Sequence, residues 1–353
     1  MAIIMSVLDL QSRVQALAPA DRELFERLFD VSVSEGRLRV PKTMRGWLAE
    51  RFGSAEAAEG QTAVRVTNHW TLEEAVFNPL RARRPKTAVA ESAAAGEDPL
   101  SRPLEMTPED TFGRIEGEHC LTASNVAKAA AWHGLIILRE PDPLAFSGAS
   151  VSDCLAVAER WWRAAHGQDA EAVYPLLFWN CGASAGASLR HAHLQVALAR
   201  GRHFGAVERL RAAAEEYRAR FGSDYFRDLV RAHAALGLAF TCEGAAVLAS
   251  LAPAREREVM VVAPSIQEGV AEAVHAALAC YRDRLGVRAF NLALFGPPLA
   301  EGDEGWLRFP FVARLVERGA GDVGAMELFE AAVVSYDPFE LAEALAAELA
   351  VRP

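Results

Sequence analysis

Between Val173 and Ala199 two β-prone runs flank a turn rich in glycine and serine, and no other stretch limits the fold of this chain so tightly. The first run, Val173 to Trp179, is apolar. The second, Leu189 to Ala199, alternates. Successive side chains of a strand leave opposite faces, so His191, His193 and Gln195 share one surface while Ala192, Leu194 and Val196 enter a core. Taken alone, H-x-H is also the pattern of a solvated edge strand. The intervening Asn180-Cys181-Gly182-Ala183-Ser184-Ala185-Gly186-Ala187-Ser188 separates the two readings. Its glycines permit a tight turn whose backbone N–H groups converge on an anion, with the Ser188 hydroxyl as a further donor.

Around this segment the chain alternates short apolar runs with helices. The pattern predicts strands at Trp132–Leu138, Glu258–Ala263, Ala289–Phe295 and Leu307–Val316, and helices at Val151–His166, Phe204–Phe221 and Phe226–Leu251. Trp161 and Trp162 fall within the first of these helices and read as core residues. The order in the second half echoes the first, the mark of a duplicated α+β unit. With 353 residues the chain is longer than one core usually covers. Three parts are expected: an N-terminal helical extension over 1–60, a first half over 61–203 carrying H-x-H-x-Q, and a degenerate second half over 204–353. A basic knot, Arg81-Ala82-Arg83-Arg84-Pro85-Lys86, precedes Thr87–Pro103, which reads as a surface loop without regular structure.

The formal net charge of -10, from 37 Lys and Arg against 47 Asp and Glu, argues against nucleic acid or an anionic membrane as partner. The five cysteines are scattered and never spaced C-x-x-C, which fits reduced thiols; Cys181 has no basic neighbour and reads as a buried thiol. The N-terminus lacks the charged region of a secretory signal. The most apolar stretch, Ala234–Pro253, carries Glu243 and reads as a core helix, not a membrane span. A soluble cytoplasmic protein is expected.

An imidazole with a pKa near 6.5 is largely neutral at physiological pH and attacks phosphorus without a separate base. One ring nitrogen must then be held as N–H, usually by a backbone carbonyl, so that the other lone pair faces the substrate. Gln195 donates hydrogen bonds but supplies no proton, so the site suits leaving groups that depart as stable phosphate anions and favours transfer over hydrolysis.

The pattern N-x-G-x-x-x-G-x-S-x-x-H-x-H-x-Q, from Asn180 to Gln195, resembles the transferase branch of the histidine-triad (HIT-like) superfamily. That branch holds galactose-1-phosphate uridylyltransferase and diadenosine tetraphosphate phosphorylase (ATP adenylyltransferase). The resemblance implies an α+β HIT-like fold duplicated into two halves around an extended antiparallel sheet. It also implies His193 as the nucleophile, His191 beside it, and Gln195 and Ser188 on the phosphate, with Asn180 and Gly186 at the substrate.

Arg81-Ala82-Arg83-Arg84-Pro85 is similar to the uridylyltransferase R-A-K-R-P segment, which gives Arg81 and Arg84 the role of phosphate clamps. Asn125 matches an asparagine near the nucleoside, although Val126 stands where the family has aspartate. Phe290-Asn-Leu-Ala-Leu and Val323 to Glu327 resemble the uridylyltransferase second half; Glu327 reads as a surface carboxylate. His133 resembles a histidine of the superfamily but reads as a packed or solvent-exposed side chain.

Many uridylyltransferases hold zinc through a C-x-x-C, a middle histidine and the first histidine of the triad. This chain lacks that cysteine pair and the middle histidine, so no structural zinc and no cofactor are expected. The implied activity is nucleotidyl transfer through a nucleotidyl-histidine, between a nucleotide or nucleotide-sugar and a phosphorylated acceptor such as a sugar 1-phosphate. Alternatives are a diadenosine tetraphosphate phosphorylase-like enzyme and a nucleotide-binding protein without turnover. The resemblance also allows a homodimer.

Overall fold

The computed structural model describes residues 5–83, 98–300, 304–319 and 329–352. Arg84, Lys86, most of the expected 87–103 loop and Glu327 lie outside the described residues. Among the described residues thirteen strands are formed: β1 (Phe29–Arg37), β2 (Gly60–Asn68), β3 (Glu74–Phe77), β4 (Cys120–Ser124), β5 (Trp132–Leu138), β6 (Ala172–Cys181), β7 (His193–Arg200), β8 (Ala239–Cys242), β9 (Ala245–Ala249), β10 (Val259–Ala263), β11 (Phe290–Phe295), β12 (Phe311–Glu317) and β13 (Ala331–Val334).

Nine of them make one antiparallel sheet in the order β4-β5-β7-β6-β11-β12-β10-β9-β8. Each half repeats one topology. In the first, β4 and β5 pair, the helix Gly148–Gln168 follows, and β7 inserts between β5 and β6. In the second, β9 and β10 pair, the helix Val270–Ala279 follows, and β12 inserts between β10 and β11. The halves join along β6 and β11, from Cys181 opposite Phe290 to Leu176 opposite Phe295. The fold class is therefore α+β, doubled about a continuous antiparallel sheet.

The two helices pack against each other and cover one face of this sheet. Side chains that alternate towards them, Leu194 and Leu292 among them, are buried, with Trp161 and Trp162 fully enclosed. Both indole N–H groups are satisfied, by Asp110 at 2.8 Å and by the Ala197 carbonyl at 3.0 Å. The opposite face is left for His193 and Gln195.

The N-terminal region departs from the expected all-helical extension. Helices at Leu10–Ala16 and Pro19–Leu28 give way to β1, which pairs with β2 over nine residues from Phe29 opposite Asn68 to Arg37 opposite Gly60. The Val31-Ser32-Val33-Ser34 alternation of β-branched and polar residues favours the extended form. β13 adds in parallel to β3 and completes a second sheet, β1-β2-β3-β13, that ties the two ends of the chain together.

The expected helix Phe226–Leu251 is also cut short. Tyr225–Ala235 is helical, and β8 and β9 then form a hairpin. Glu243 and Gly244 both have positive φ, 46° and 90°, the conformation of a tight two-residue hairpin turn. Among the described residues no helix is long and apolar enough to cross a membrane.

Candidate active site

The Gly/Ser segment after β6 forms a single 3-10 turn, Ala183–Ala185, bounded by Gly182 and Gly186, both at positive φ. At Gly182 a Cβ would lie 2.9 Å from the Ala289 side chain, so both backbone angle and space require glycine. The amides of the turn are not gathered for an anion as the sequence leads one to expect. Those of Ala185 and Ala187 donate to the Gly182 carbonyl and that of Gly186 to Ala183, so the turn closes on itself. It is fastened instead to the second half: Asn291 Nδ2 donates to the Ala185 carbonyl and to Asn180 Oδ1, each at 2.8 Å, and Ser184 donates to the Arg318 carbonyl.

His191 and Ala192 precede β7, whose first residue is His193. His193 is buried, and its Nδ1 donates to the His191 carbonyl at 2.7 Å. That bond fixes the proton on Nδ1 and leaves the Nε2 lone pair free. Burial pushes the His193 pKa below its ordinary value, the neighbouring His191 adds to the effect, and the carbonyl and Asp98 oppose it.

The His191 ring does not join the open surface. Its Nδ1 lies 3.0 Å from Asp98 Oδ2 and its Nε2 lies 2.9 Å from the Leu138 carbonyl. An acceptor therefore stands at each of its ring nitrogens. Asp98 comes from the end of the segment expected to be unstructured. Asp98 also caps the turn Pro99–Ser101, and Leu100 is buried against Ala123 and Ile137.

Gln195 faces the same side as His193, two residues further along β7. Its Oε1 lies 2.9 Å from His133 Nε2 and 3.4 Å from Asn125 Nδ2. Asn125 is thus placed at the site, with its Oδ1 held by the Ala127 amide at 3.1 Å. His133, assigned to packing or solvent by sequence alone, contacts a predicted site residue directly, and Asp98 carried no sequence signal at all. Asn180 lies on β6, hydrogen-bonded across the join, and Ser188 is exposed between the turn and β7. Arg81 sits in the short turn Pro79–Arg83 after β3, whereas Arg83 donates to the Phe52 carbonyl at 2.6 Å, a structural contact. Cys181 is a buried thiol, pushed up to about 12 by burial, and no nucleophile. Among the described residues no three His, Cys, Asp or Glu side chains are grouped as a metal site.

The register of the second half reproduces this neighbourhood. Leu135 faces Gln195 as Met260 faces Arg314, and Ile137 faces His193 as Val262 faces Val312. The Asn125 amide donates to the His133 carbonyl at 3.0 Å, and the Ser250 amide to Glu258 at the same distance. Glu258 accepts from Arg314 Nε at 2.5 Å where His133 meets Gln195. The trio Asn125, His133, Gln195 therefore corresponds to Ser250, Glu258, Arg314, and the place of His193 is taken by Val312. The second half carries the frame without the imidazole.

No protein-family model and no curated protein sequence matches the chain. Solved structures do. An ADP-glucose phosphorylase from Arabidopsis thaliana with bound ADP-glucose superposes with a TM-score of 0.60 at 16% identity, over 77% of this chain and 94% of that one. A uridylyltransferase gives 0.58 at 16% identity, over 82% and 98%. A GalT-like protein from Arabidopsis thaliana gives 0.56 at 15% identity, over 71% and 97%. The fold is the HIT-like one. Within that HIT-like fold, His193 and Gln195 lie on β7, an interior strand of the nine-stranded sheet, and His191 lies just before it.

Proposed function

We propose that this chain is a nucleotidyltransferase that works by double displacement through His193, exchanging a nucleotidyl group between a nucleoside diphosphate sugar and a sugar 1-phosphate. His193 Nε2 attacks the α-phosphorus; an N–P bond forms, and the P–O bond to the leaving sugar phosphate breaks with its electron pair. The positive charge that develops on the ring is stabilised through Nδ1–H by the His191 carbonyl. An oxygen of the acceptor phosphate then attacks the same phosphorus, and the N–P bond returns its pair to Nε2. The Gln195 amide steadies the transferring phosphoryl group, and Arg81 and Arg84 are assigned to the flanking phosphates.

One observation carries this reading: the Nδ1–H bond from His193 to the His191 carbonyl, which leaves a single tautomer with its lone pair on the open face of the sheet. The likeness in fold to the ADP-glucose phosphorylase and uridylyltransferase structures supports the kind of reaction. Asp98 and the Leu138 carbonyl stand at both nitrogens of the first histidine, which supports a site that works without zinc. The anchored His191 in turn places the carbonyl that orients His193.

Incubation with UDP-glucose or ADP-glucose labelled at the α-phosphate tests the proposal. The wild type is expected to retain an acid-labile, base-stable label that glucose 1-phosphate discharges, and His193→Ala none. Tight binding with no label on the wild type identifies a binding protein instead. Free nucleoside monophosphate formed irrespective of acceptor identifies a hydrolase.

A further inference from the structure

We propose that His133 is a positioning residue that fixes the amide of Gln195 with its oxygen turned inward and its NH2 presented to the transferring phosphoryl group. The chemical role rests on the nucleotidyl-transfer reading above; the orientation itself does not.

The argument starts from a backbone donor, whose direction is unambiguous. The Ala129 amide points at His133 Nδ1 from 3.0 Å. A backbone N–H only donates, so Nδ1 accepts and the ring proton sits on Nε2. Nε2 lies 2.9 Å from Gln195 Oε1 and donates to it. The flipped amide would set N–H against N–H. Asn125 flanks this bond: its Oδ1 is committed to the Ala127 amide, so its Nδ2 is the end turned to the pair, 3.2 Å from His133 Nε2 and 3.4 Å from Gln195 Oε1. The Ala129 amide, through the His133 ring, is what fixes the Gln195 oxygen. Gln195 Nε2 is what remains for a substrate oxygen, on the face that also carries His193.

His133 is built to stay in this state. It is buried, its carbonyl accepts from Asn125 N at 3.0 Å and from Lys128 Nζ at 3.0 Å, and its ring packs on Phe178. Protonation of Nδ1 would drive N–H against the Ala129 amide. The second half supplies an independent comparison, since Glu258 holds Arg314 from the equivalent place. The position diagonal to the active strand thus serves twice to set the side chain facing it.

Long-range proton–nitrogen NMR on the full chain reads the proton directly. The Nε2–H tautomer of His133 at neutral pH is expected, and an Nδ1–H tautomer or an imidazolium overturns the proposal. A double-mutant cycle on the labelling rate of His193 separates positioning from mere packing. His133→Ala and Gln195→Ala are each expected to slow labelling on the order of 10-fold to 100-fold, with kcat falling more than KM rises. The double variant should match Gln195→Ala alone, whereas losses that multiply overturn the role. His133→Gln, whose amide also donates to that oxygen, should recover part of the rate. Absence of label on the wild type overturns the nucleotidyl-transfer reading only; the ring proton then still decides the orientation.

Discussion

On the proposed reading the His193 imidazole attacks in its neutral form, which burial favours. Because burial lowers its pKa from the ordinary 6.5, the free lone pair persists below that pH. The acid limb of the labelling rate is therefore expected to have its midpoint below pH 6.5; a midpoint at 6.5 or above contradicts this. Asp98→Asn replaces the carboxylate that meets His191 Nδ1 and loosens the carbonyl that orients His193. A slowing of labelling on the order of 10-fold is expected, with nucleotide affinity, measured by calorimetry, nearly unchanged. Equal loss in both would assign Asp98 to binding. His193 and Gln195 were legible because a two-residue alternation after a glycine turn names a face. Asp98 and His133 were not, since their partners lie 93 and 62 residues away and a lone side chain has no period.

At the scale of elements, sequence pattern succeeded where periods differ and failed where they coincide. The helix Gly148–Gln168 is marked by its capping box at Ser147 and Ser150 and by apolar spacing. The run Ala234–Pro253 is apolar throughout, so it fits a buried helix and a pair of buried strands equally well. The turn at Glu243-Gly244 decides between them, and its carbonyls explain a glycine elsewhere. At Gly269, which begins the helix Val270–Ala279 with φ of 69°, a Cβ would lie 2.3 Å from the Glu243 oxygen and 2.6 Å from that of Cys242. Gly269→Ala is expected to cost about 2 kcal/mol or more in urea unfolding, because neither backbone can yield. A loss below about 0.5 kcal/mol would mean that the hairpin and helix start are not rigidly apposed.

Across the whole molecule, the frame carried by the second half is a tie between the two sheets. Arg314 pairs with Glu258 on the large sheet and with Glu73, next to β3 on the small one. Arg314→Leu leaves a fully buried Glu258 without its partner and is expected to destabilise by about 3–5 kcal/mol, whereas replacing the whole trio with apolar residues should restore much of it. Urea melts of the two variants check this. Acid should act on the molecule through His203 and His233, whose pKa values burial lowers to about 4. The unfolded chain binds those protons near pH 6.5 and the fold only near 4. Stability is therefore whole above pH 6.5 and falls by up to about 3 kcal/mol per ring towards pH 4. Glu258, pushed up by burial, works in the opposite direction. A urea midpoint unchanged between pH 7 and pH 5 would contradict the histidine account.

The seam between β6 and β11 has a mechanical corollary. It passes through opposed residues Phe178 and Ala293 about an approximate two-fold axis, so the arrangement is that of two self-associating copies fused head to tail. The copy with Val312 in place of the imidazole supplies, through Asn291 and the Arg318 carbonyl, the brace that steadies the glycine bend of the other.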